Sequence, residues 1–136
     1  MGSGLLDQAA VVAALPDLEA IVTQRRALAR ERHDHLRREL SARLPEWEIP
    51  AARGGYSLWI RLPSGTGDEL AAAAMTRGVA IASGSSSAPE DRFLDHVRLC
   101  YPAPPELLTE AAVRLEDAWR SLQGTPATRV PVPLGA

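Results

Sequence analysis

Arg98 is the residue whose type and position most directly suggest chemistry. It lies between Val97 and Leu99 in an apolar run. Because side chains alternate between the two faces of a strand, we predict that Arg98 points away from Val97 and Leu99. An unpaired charge is costly to bury. Spacing leaves two alternatives open. One is an internal salt bridge or simple exposure at an edge. The other is a guanidinium that grips a carboxylate through two parallel hydrogen bonds.

The other reactive residue types lack the spacing that catalysis or metal binding requires. His33 and His35 are two positions apart, so on a helix they point about 200° apart and cannot share a metal ion. The stretch Gly84-Ser85-Ser86 lacks the second glycine of a nucleophile elbow and the lysine of a phosphate-binding loop, so its serines are interpreted as turn residues. Cys100 is interpreted as a small core residue of an apolar strand. We therefore predict no catalytic residue and no metal site.

Composition narrows the class of protein. The chain has 136 residues, which is enough for one domain, with 46% apolar and 24% charged residues. A net charge of −2 gives no general attraction to nucleic acid or to anionic membranes. One cysteine excludes a disulfide framework, and neither a secretory signal nor a membrane span is visible, so we expect a cytoplasmic protein. All fifteen basic residues are arginine, so no lysine can form a Schiff base in this chain.

Seven of the arginines lie in one stretch, between Arg25 and Arg43. A basic helix could contact nucleic acid, but a solvated face with i,i+4 pairs such as Glu39–Arg43 explains the pattern as well. No aromatic stacking platform or groove-reading motif accompanies the charge. We therefore predict that this chain does not bind DNA specifically.

Hydrophobic periodicity predicts how these residues are positioned. Spacings of three and four indicate helices, whereas alternation indicates strands. A hydroxyl at Thr66 and a carboxylate at Glu69 predict a capping box, and Gly78 is placed to end the same helix. The predicted fold class is α+β: a two-layer sandwich with a small, mainly antiparallel sheet covered on one face by helices. The predicted helices are 5–15, 18–44, 70–77 and 105–123, and the predicted strands are 56–62, 79–82 and one within 93–101.

Several stretches together resemble a known family. Residues 50–63 resemble the P-x-x-G-G-x-x-L-W-x-x-L-P strand of the aminotransferase-like domain in MocR-type regulators of the GntR family. Residues 77–84 resemble the R-G-V strand and turn of that domain, and residues 95–101 resemble its R-L-x-Y strand. The closing helix and the L-P-x-W helix end have counterparts near residues 111–119 and 32–47. Each motif alone is weak, but their order and spacing over residues 5–122 are fairly specific.

The resemblance implies the C-terminal small domain of a fold type I, pyridoxal 5′-phosphate (PLP)-dependent architecture. In such proteins a lysine of the large domain holds PLP, so no cofactor is expected in this chain, although PLP is implied for the full-length parent. The matching strand arginine binds the α-carboxylate of the substrate, and this role carries over to Arg98. Tyr56, Ser83 and Gly84 are expected to border the ligand site. Ser83 replaces the proline that is usual in the family.

The resemblance also implies an organisation and a set of partners. Residues 1–16 would connect to a large domain, and 17–124 would form the small domain. The prolines and the lack of periodicity in 125–136 separately predict a disordered tail. The expected partners are the large aminotransferase-like domain of the parent chain and an amino-acid-like small molecule, with possible self-association through an exposed face. The expected role is effector sensing in a transcriptional regulator, without a complete active site in this chain. The alternative is the small domain of a genuine PLP-dependent aminotransferase.

Overall fold

The computed structural model describes residues 4–52, 54–88 and 92–124. The helices are α1 (Leu5–Ala14), α2 (Leu18–Arg43), α3 (Gly67–Met75) and α4 (Pro105–Gln123), and the strands are β1 (Ser57–Arg61), β2 (Ala82–Ser83) and β3 (His96–Cys100). The strands form one antiparallel sheet in the order β1-β3-β2. This confirms the predicted α+β fold class.

The two faces of the sheet differ in burial. Leu58 and Ile60 of β1 pair with Leu99 and Val97 of β3, and all four are buried against the helices. The core continues into the helices through Leu36, Leu40, Leu70, Ala74, Leu108, Ala112 and Leu115. The intervening residues form the other face, which we call the open face. It consists of Ser57, Trp59, Arg61, Ala82, His96, Arg98 and Cys100.

Both predicted caps of α3 are confirmed, although the helix spans Gly67–Met75 and not residues 70–77. The Thr66 hydroxyl accepts a hydrogen bond from the Glu69 N–H at 3.2 Å, and the Glu69 carboxylate accepts one from the Thr66 N–H at 2.9 Å, which completes a capping box. At the other end, Gly78 has φ 76°, and the Val79 N–H donates to the Ala74 carbonyl at 3.0 Å. This is the left-handed glycine and six-to-one bond of a Schellman motif.

Two glycines allow close packing around the turn that precedes β3. A Cβ added at Gly67 would lie 2.1 Å from the His96 carbonyl oxygen, and one at Gly84 would lie 2.3 Å from the Phe93 carbonyl oxygen. The backbone N–H groups of the same glycines donate to the Leu94 and His96 carbonyls at 2.6 and 2.7 Å. The segment 93–96 is therefore fixed against both α3 and β2.

Two sequence predictions are corrected. The strand predicted over 79–82 is confined to Ala82–Ser83, because the Val79 N–H is used to end α3 and is not available to a strand partner. Cys100 is exposed and not a core residue. The cause is strand alternation, which buries Leu99 and Tyr101 on either side of it and places Cys100 on the open face.

The N-terminal helical region contributes little to the core. No residue of α1 is buried, and α2 buries only Leu36 and Leu40. The exposed apolar side chains of this region include Leu5, Leu6, Val11 and Val12. The predicted boundaries at residues 16 and 124 stay predictions, and the predicted tail 125–136 lies outside the described residues. Within the described ranges, no helix is both long enough and apolar enough to cross a membrane.

Candidate ligand-binding face

Arg98 lies in the middle of the open face. It pairs with Trp59 on one side and with Ala82 on the other, so it belongs to the central strand of the sheet. Its side chain is exposed. Within the described part of the chain, its guanidinium has neither an ion pair nor a hydrogen bond. Arg98 is therefore a cation that the described residues leave available to an external anion.

Arg61 shares this face but is neutralised within the chain. Its Nε donates to Asp95 Oδ2 at 2.7 Å, and its Nη1 lies 3.8 Å from Glu48 Oε2. Asp95 Oδ1 is also 2.6 Å from Nδ1 of His96. The hydrogen bond from Arg61, more than any other contact, holds the pKa of Asp95 below its ordinary value. This end of the face is thus an internally satisfied ion-pair network.

An aromatic cluster separates the two arginines. The Trp59 and His96 rings are stacked at 5.3 Å, and the Phe93 ring meets each of them edge-on at 5.4 and 5.2 Å. Phe93 has φ 60°, which is unusual for a bulky residue and places its ring over this cluster. Next to the cluster, a cleft of about 340 Å³ is lined by Glu48, Pro50, Trp59, Arg61, Asp95 and His96. A ligand held by Arg98 would therefore find an aromatic surface beside it.

Tyr56 lies away from this face. It lines a second cleft, of about 260 Å³, which we call the helix-side cleft because α2 forms one of its walls. That cleft is lined by Arg25, Leu28, Ala29, Arg32, Tyr56, Tyr101 and Pro102. Burial raises the pKa of the Tyr101 hydroxyl, with smaller contributions from Tyr56 and Cys100. The structure thus places Tyr56 and Arg98 on different sides of the sheet.

Ser83 and Gly84 are buried at the β2 edge of the sheet, on the other side of β3 from β1. The Ser83 hydroxyl is 2.9 Å from that of Ser85, which donates to the Asp68 carboxylate at 2.9 Å. Hydrogen bonds from Ser83 and then Ser85 keep the pKa of Asp68 below its ordinary value. The structure therefore ties these residues to α3, and it does not bring them together with Tyr56. Their predicted role at the border of a ligand site stays a prediction.

Sequence reasoning missed the cluster that Asp95 and His96 form with Arg61 on the open face. Alternation in β1 and β3 indicated that Trp59 and Arg61 share a face, as do His96 and Arg98. The missing information was the register, which pairs Trp59 with Arg98 and Arg61 with His96.

The two histidines of α2 have separate partners. His33 Nδ1 lies 2.8 Å from Asp34, and His35 Nε2 lies 2.8 Å from Thr109 Oγ1.

The residues of this chain do not fit the covalent attachment of PLP. The sequence contains no lysine, so no side-chain amine can form the imine. The open face offers a guanidinium and aromatic rings, which suit a carboxylate and an apolar side chain.

Comparison with solved structures finds aminotransferases. An α-aminoadipate aminotransferase from Thermus thermophilus, complexed with N-(5′-phosphopyridoxyl)-L-leucine, matches with a TM-score of 0.76 and 22% identity, covering 82% of this chain and 29% of that one. A kynurenine aminotransferase from Pyrococcus horikoshii matches with a TM-score of 0.72 and 22% identity, covering 79% and 28%. An aspartate aminotransferase mutant, also from Thermus thermophilus, matches with a TM-score of 0.68 and 25% identity, covering 80% and 30%.

These matches concern the fold. No protein-family model matches this chain, and no curated protein matches it either. The chain spans less than a third of the length of the solved structures named above. It therefore has an aminotransferase-like fold and corresponds to a small part of that architecture.

Proposed function

We propose that this chain is the small domain of a PLP-dependent protein with the fold type I architecture, and that Arg98 binds the carboxylate of an amino-acid-like ligand. The observation that carries the proposal is the exposed Arg98 guanidinium, which has no partner among the described residues on the central strand. A planar guanidinium recognises a carboxylate through two parallel hydrogen bonds. The solved structure with N-(5′-phosphopyridoxyl)-L-leucine supports an amino-acid-like ligand, because that protein binds an amino-acid adduct of the cofactor.

In this proposal the two parts of the site have separate tasks. A large domain would hold PLP, which supplies an electron sink for amino-acid chemistry when bound. Arg98 would bind and orient the carboxylate of the ligand, and Trp59 would contribute the neighbouring apolar surface. This division agrees with a chain that has no lysine but has an arginine, Arg98, without a partner among the described residues.

We further propose that the parent protein is a MocR-type transcriptional regulator and that the ligand is its effector. The support is the sequence Leu58-Trp59-x-x-Leu62-Pro63, which resembles the corresponding strand of those regulators. The second candidate is a genuine aminotransferase, which is supported by the solved structures that share the fold. An upstream winged-helix domain and specific DNA binding by the full-length protein would favour the regulator. The enzyme would be favoured if the full-length protein transferred an amino group to 2-oxoglutarate and had neither a winged-helix domain nor specific DNA binding.

The test of the Arg98 role uses the full-length protein loaded with PLP. The twenty common amino acids are titrated while the visible absorption of the cofactor is recorded. We expect Arg98→Ala to weaken binding by about tenfold to a hundredfold, because a hydrogen bond between charged groups contributes about 1.5–3 kcal/mol. Arg98→Lys should restore little of this, because an ammonium cannot make the two parallel bonds.

Arg26→Ala is the matched control, since Arg26 is an exposed arginine that lines neither cleft. It should bind both PLP and the amino acid normally, and all the variants should retain PLP. The carboxylate role is wrong if Arg98→Ala binds as tightly as the unchanged protein. It is equally wrong if no amino acid produces a spectral change.

A further inference from the structure

The helix-side cleft carries positive charge that the described residues do not neutralise. Arg25 and Arg32 are seven positions apart on α2, so they lie on one face of the helix, about 10 Å apart along its axis. No acidic residue is among those that line the cleft. The positions three and four residues away, where helical ion pairs form, hold only Ile21, Val22, Leu28, Ala29, His35 and Leu36.

Two other arginines of α2, Arg37 and Arg43, have side-chain partners among the described residues. Arg43 pairs with Glu39 and Glu116, each at 3.3 Å, and the Nε of Arg37 donates to the Ile49 carbonyl at 3.2 Å. Arg25 has neither kind of contact within the described residues. Arg43 is therefore neutralised by carboxylates, whereas the described residues supply no carboxylate partner to Arg25 or Arg32 at the cleft.

The Arg32 guanidinium is hydrogen-bonded through Nη1, whereas its Nε has no hydrogen bond among the described residues. Its Nη1 donates to the Pro102 carbonyl, which fixes the guanidinium at the wall of the cleft. Its Nε is buried and has no hydrogen-bond partner in the described structure. Buried donors are nearly always paired, so an unpaired one marks a place where an acceptor is missing. The Nη2 of the same guanidinium has no partner among the described residues, so an anion in the cleft could accept a hydrogen bond from it.

The rest of the cleft complements an anion on a small apolar body. The Tyr101 hydroxyl is already used, since it donates to the Gly55 carbonyl at 2.8 Å. The Tyr56 hydroxyl has no partner in the described ranges. Leu28 and Ala29 lie between the two arginines and form an apolar surface.

We propose that the helix-side cleft binds a small molecule that carries a carboxylate or phosphate group on an apolar body. The anionic group would contact Arg25, Arg32 and the Tyr56 hydroxyl, and the apolar body would pack on Leu28 and Ala29. A volume of about 260 Å³ suits such a molecule. This site is separate from Arg98 and does not depend on the function proposed above.

The test uses the intact 136-residue chain and two probes, phenyl phosphate and benzoate. Backbone amide NMR shifts are followed while each probe is added at constant ionic strength. We expect saturable shifts at residues 25–32 and 54–56, and the stronger probe identifies which anion the site prefers. Arg25→Gln should weaken binding about tenfold through the loss of a charged hydrogen bond, and Tyr56→Phe should weaken it a few-fold.

Two controls separate the site from the general positive charge of α2. Arg26→Gln removes the same charge one position away, and Arg38→Gln removes an exposed charge further along the helix that lines neither cleft. Both variants should bind the probe at the helix-side cleft as the unchanged chain does, and the amide spectra show whether each variant is folded. The proposal is overturned if neither probe gives saturable shifts at residues 25–32 and 54–56. It is also overturned if Arg26→Gln or Arg38→Gln weakens binding there as much as Arg25→Gln does.

Discussion

Arg61 and Arg98 occupy the same open face of the sheet, on neighbouring strands, but their surroundings differ. Arg61 is held by Asp95 at 2.7 Å and lies near Glu48, and Asp95 in turn contacts His96. Arg98 has no such partner among the described residues, although Trp59 and Ala82 lie directly beside it in the sheet. The charge of Arg61 is thus paired within the chain, whereas the charge of Arg98 is not paired by any described residue.

This difference separates a structural arginine, Arg61, from an arginine whose charge is available to a ligand, Arg98. A charge that is neutralised by its own chain would have to give up that partner before it could bind another anion. The segment 93–96, which supplies Asp95 and His96, is also fixed by backbone bonds to Gly67 and Gly84. We therefore expect changes at the Arg61 end to alter stability, and changes at Arg98 to alter ligand binding alone.

The largest effect should come from the glycine that fixes this segment. Gly67→Ala would place a Cβ 2.1 Å from the His96 carbonyl oxygen, so the backbone would have to move. We expect a loss of about 2 kcal/mol or more in the free energy of unfolding, measured by urea denaturation. Helix propensity alone predicts the opposite sign, because alanine favours a helix over glycine by about 1 kcal/mol.

Gly54→Ala is the matched control for that experiment. A Cβ at Gly54 would meet nothing within 4 Å, so its free energy of unfolding should change by less than about 0.5 kcal/mol. If Gly67→Ala were as stable as Gly54→Ala, the segment 93–96 would not be fixed as described, and the contrast between the two arginines would lose its structural basis.

A smaller effect is expected from the ion pair itself. Asp95→Asn removes the carboxylate that accepts the Arg61 hydrogen bond, and because this pair is partly exposed the loss should be below about 1 kcal/mol. Arg98→Gln should change stability less than Asp95→Asn, because it removes no hydrogen bond or ion pair to a described residue. Chemical denaturation of both variants under identical conditions tests the comparison. An equal or larger loss for Arg98→Gln would mean that Arg98 has a structural role.

The smallest expected effect is the pH dependence of the stability that Asp95→Asn loses. The hydrogen bond from Arg61 lowers the pKa of folded Asp95, so this carboxylate stabilises the fold above its unfolded pKa of about 4. That stability is lost as the pH falls through the lowered pKa. The difference in stability between the unchanged chain and Asp95→Asn should therefore shrink as the pH falls below about 4. Using the difference cancels the titration of Asp68 and Glu116, whose pKa values are also lowered.

Local sequence signals predicted a large part of the fold. The pair Thr66 and Glu69 predicted the start of α3, because a capping box depends on residues only three positions apart. Alternation placed Val97 and Leu99 in the core and Arg98 on the opposite face. These features depend on near neighbours in the chain, which a sequence displays directly.

The features that escaped prediction depend on contacts between distant segments. Tyr56 lines a cleft with Arg25 and Arg32 of α2, which are more than twenty residues away in the chain, and its predicted place at the border of a ligand site stays a prediction. Neither the register of β1 with β3 nor the proximity of Gly84 to Phe93 can be seen in a local pattern. The sheet face on which Arg98 lies was therefore predictable, but the neighbours of Arg98 on that face were not.

The exposure of Cys100 has a practical consequence for this open face. Cys100 is the only thiol of the chain and lies two residues after Arg98 on the same strand face, about 7 Å along the strand. A small fluorophore or spin label attached there would sit beside the guanidinium without any engineered cysteine. Its emission or mobility would then respond to an anion arriving at Arg98, so the sequence already contains an attachment point for a sensor of the proposed ligand.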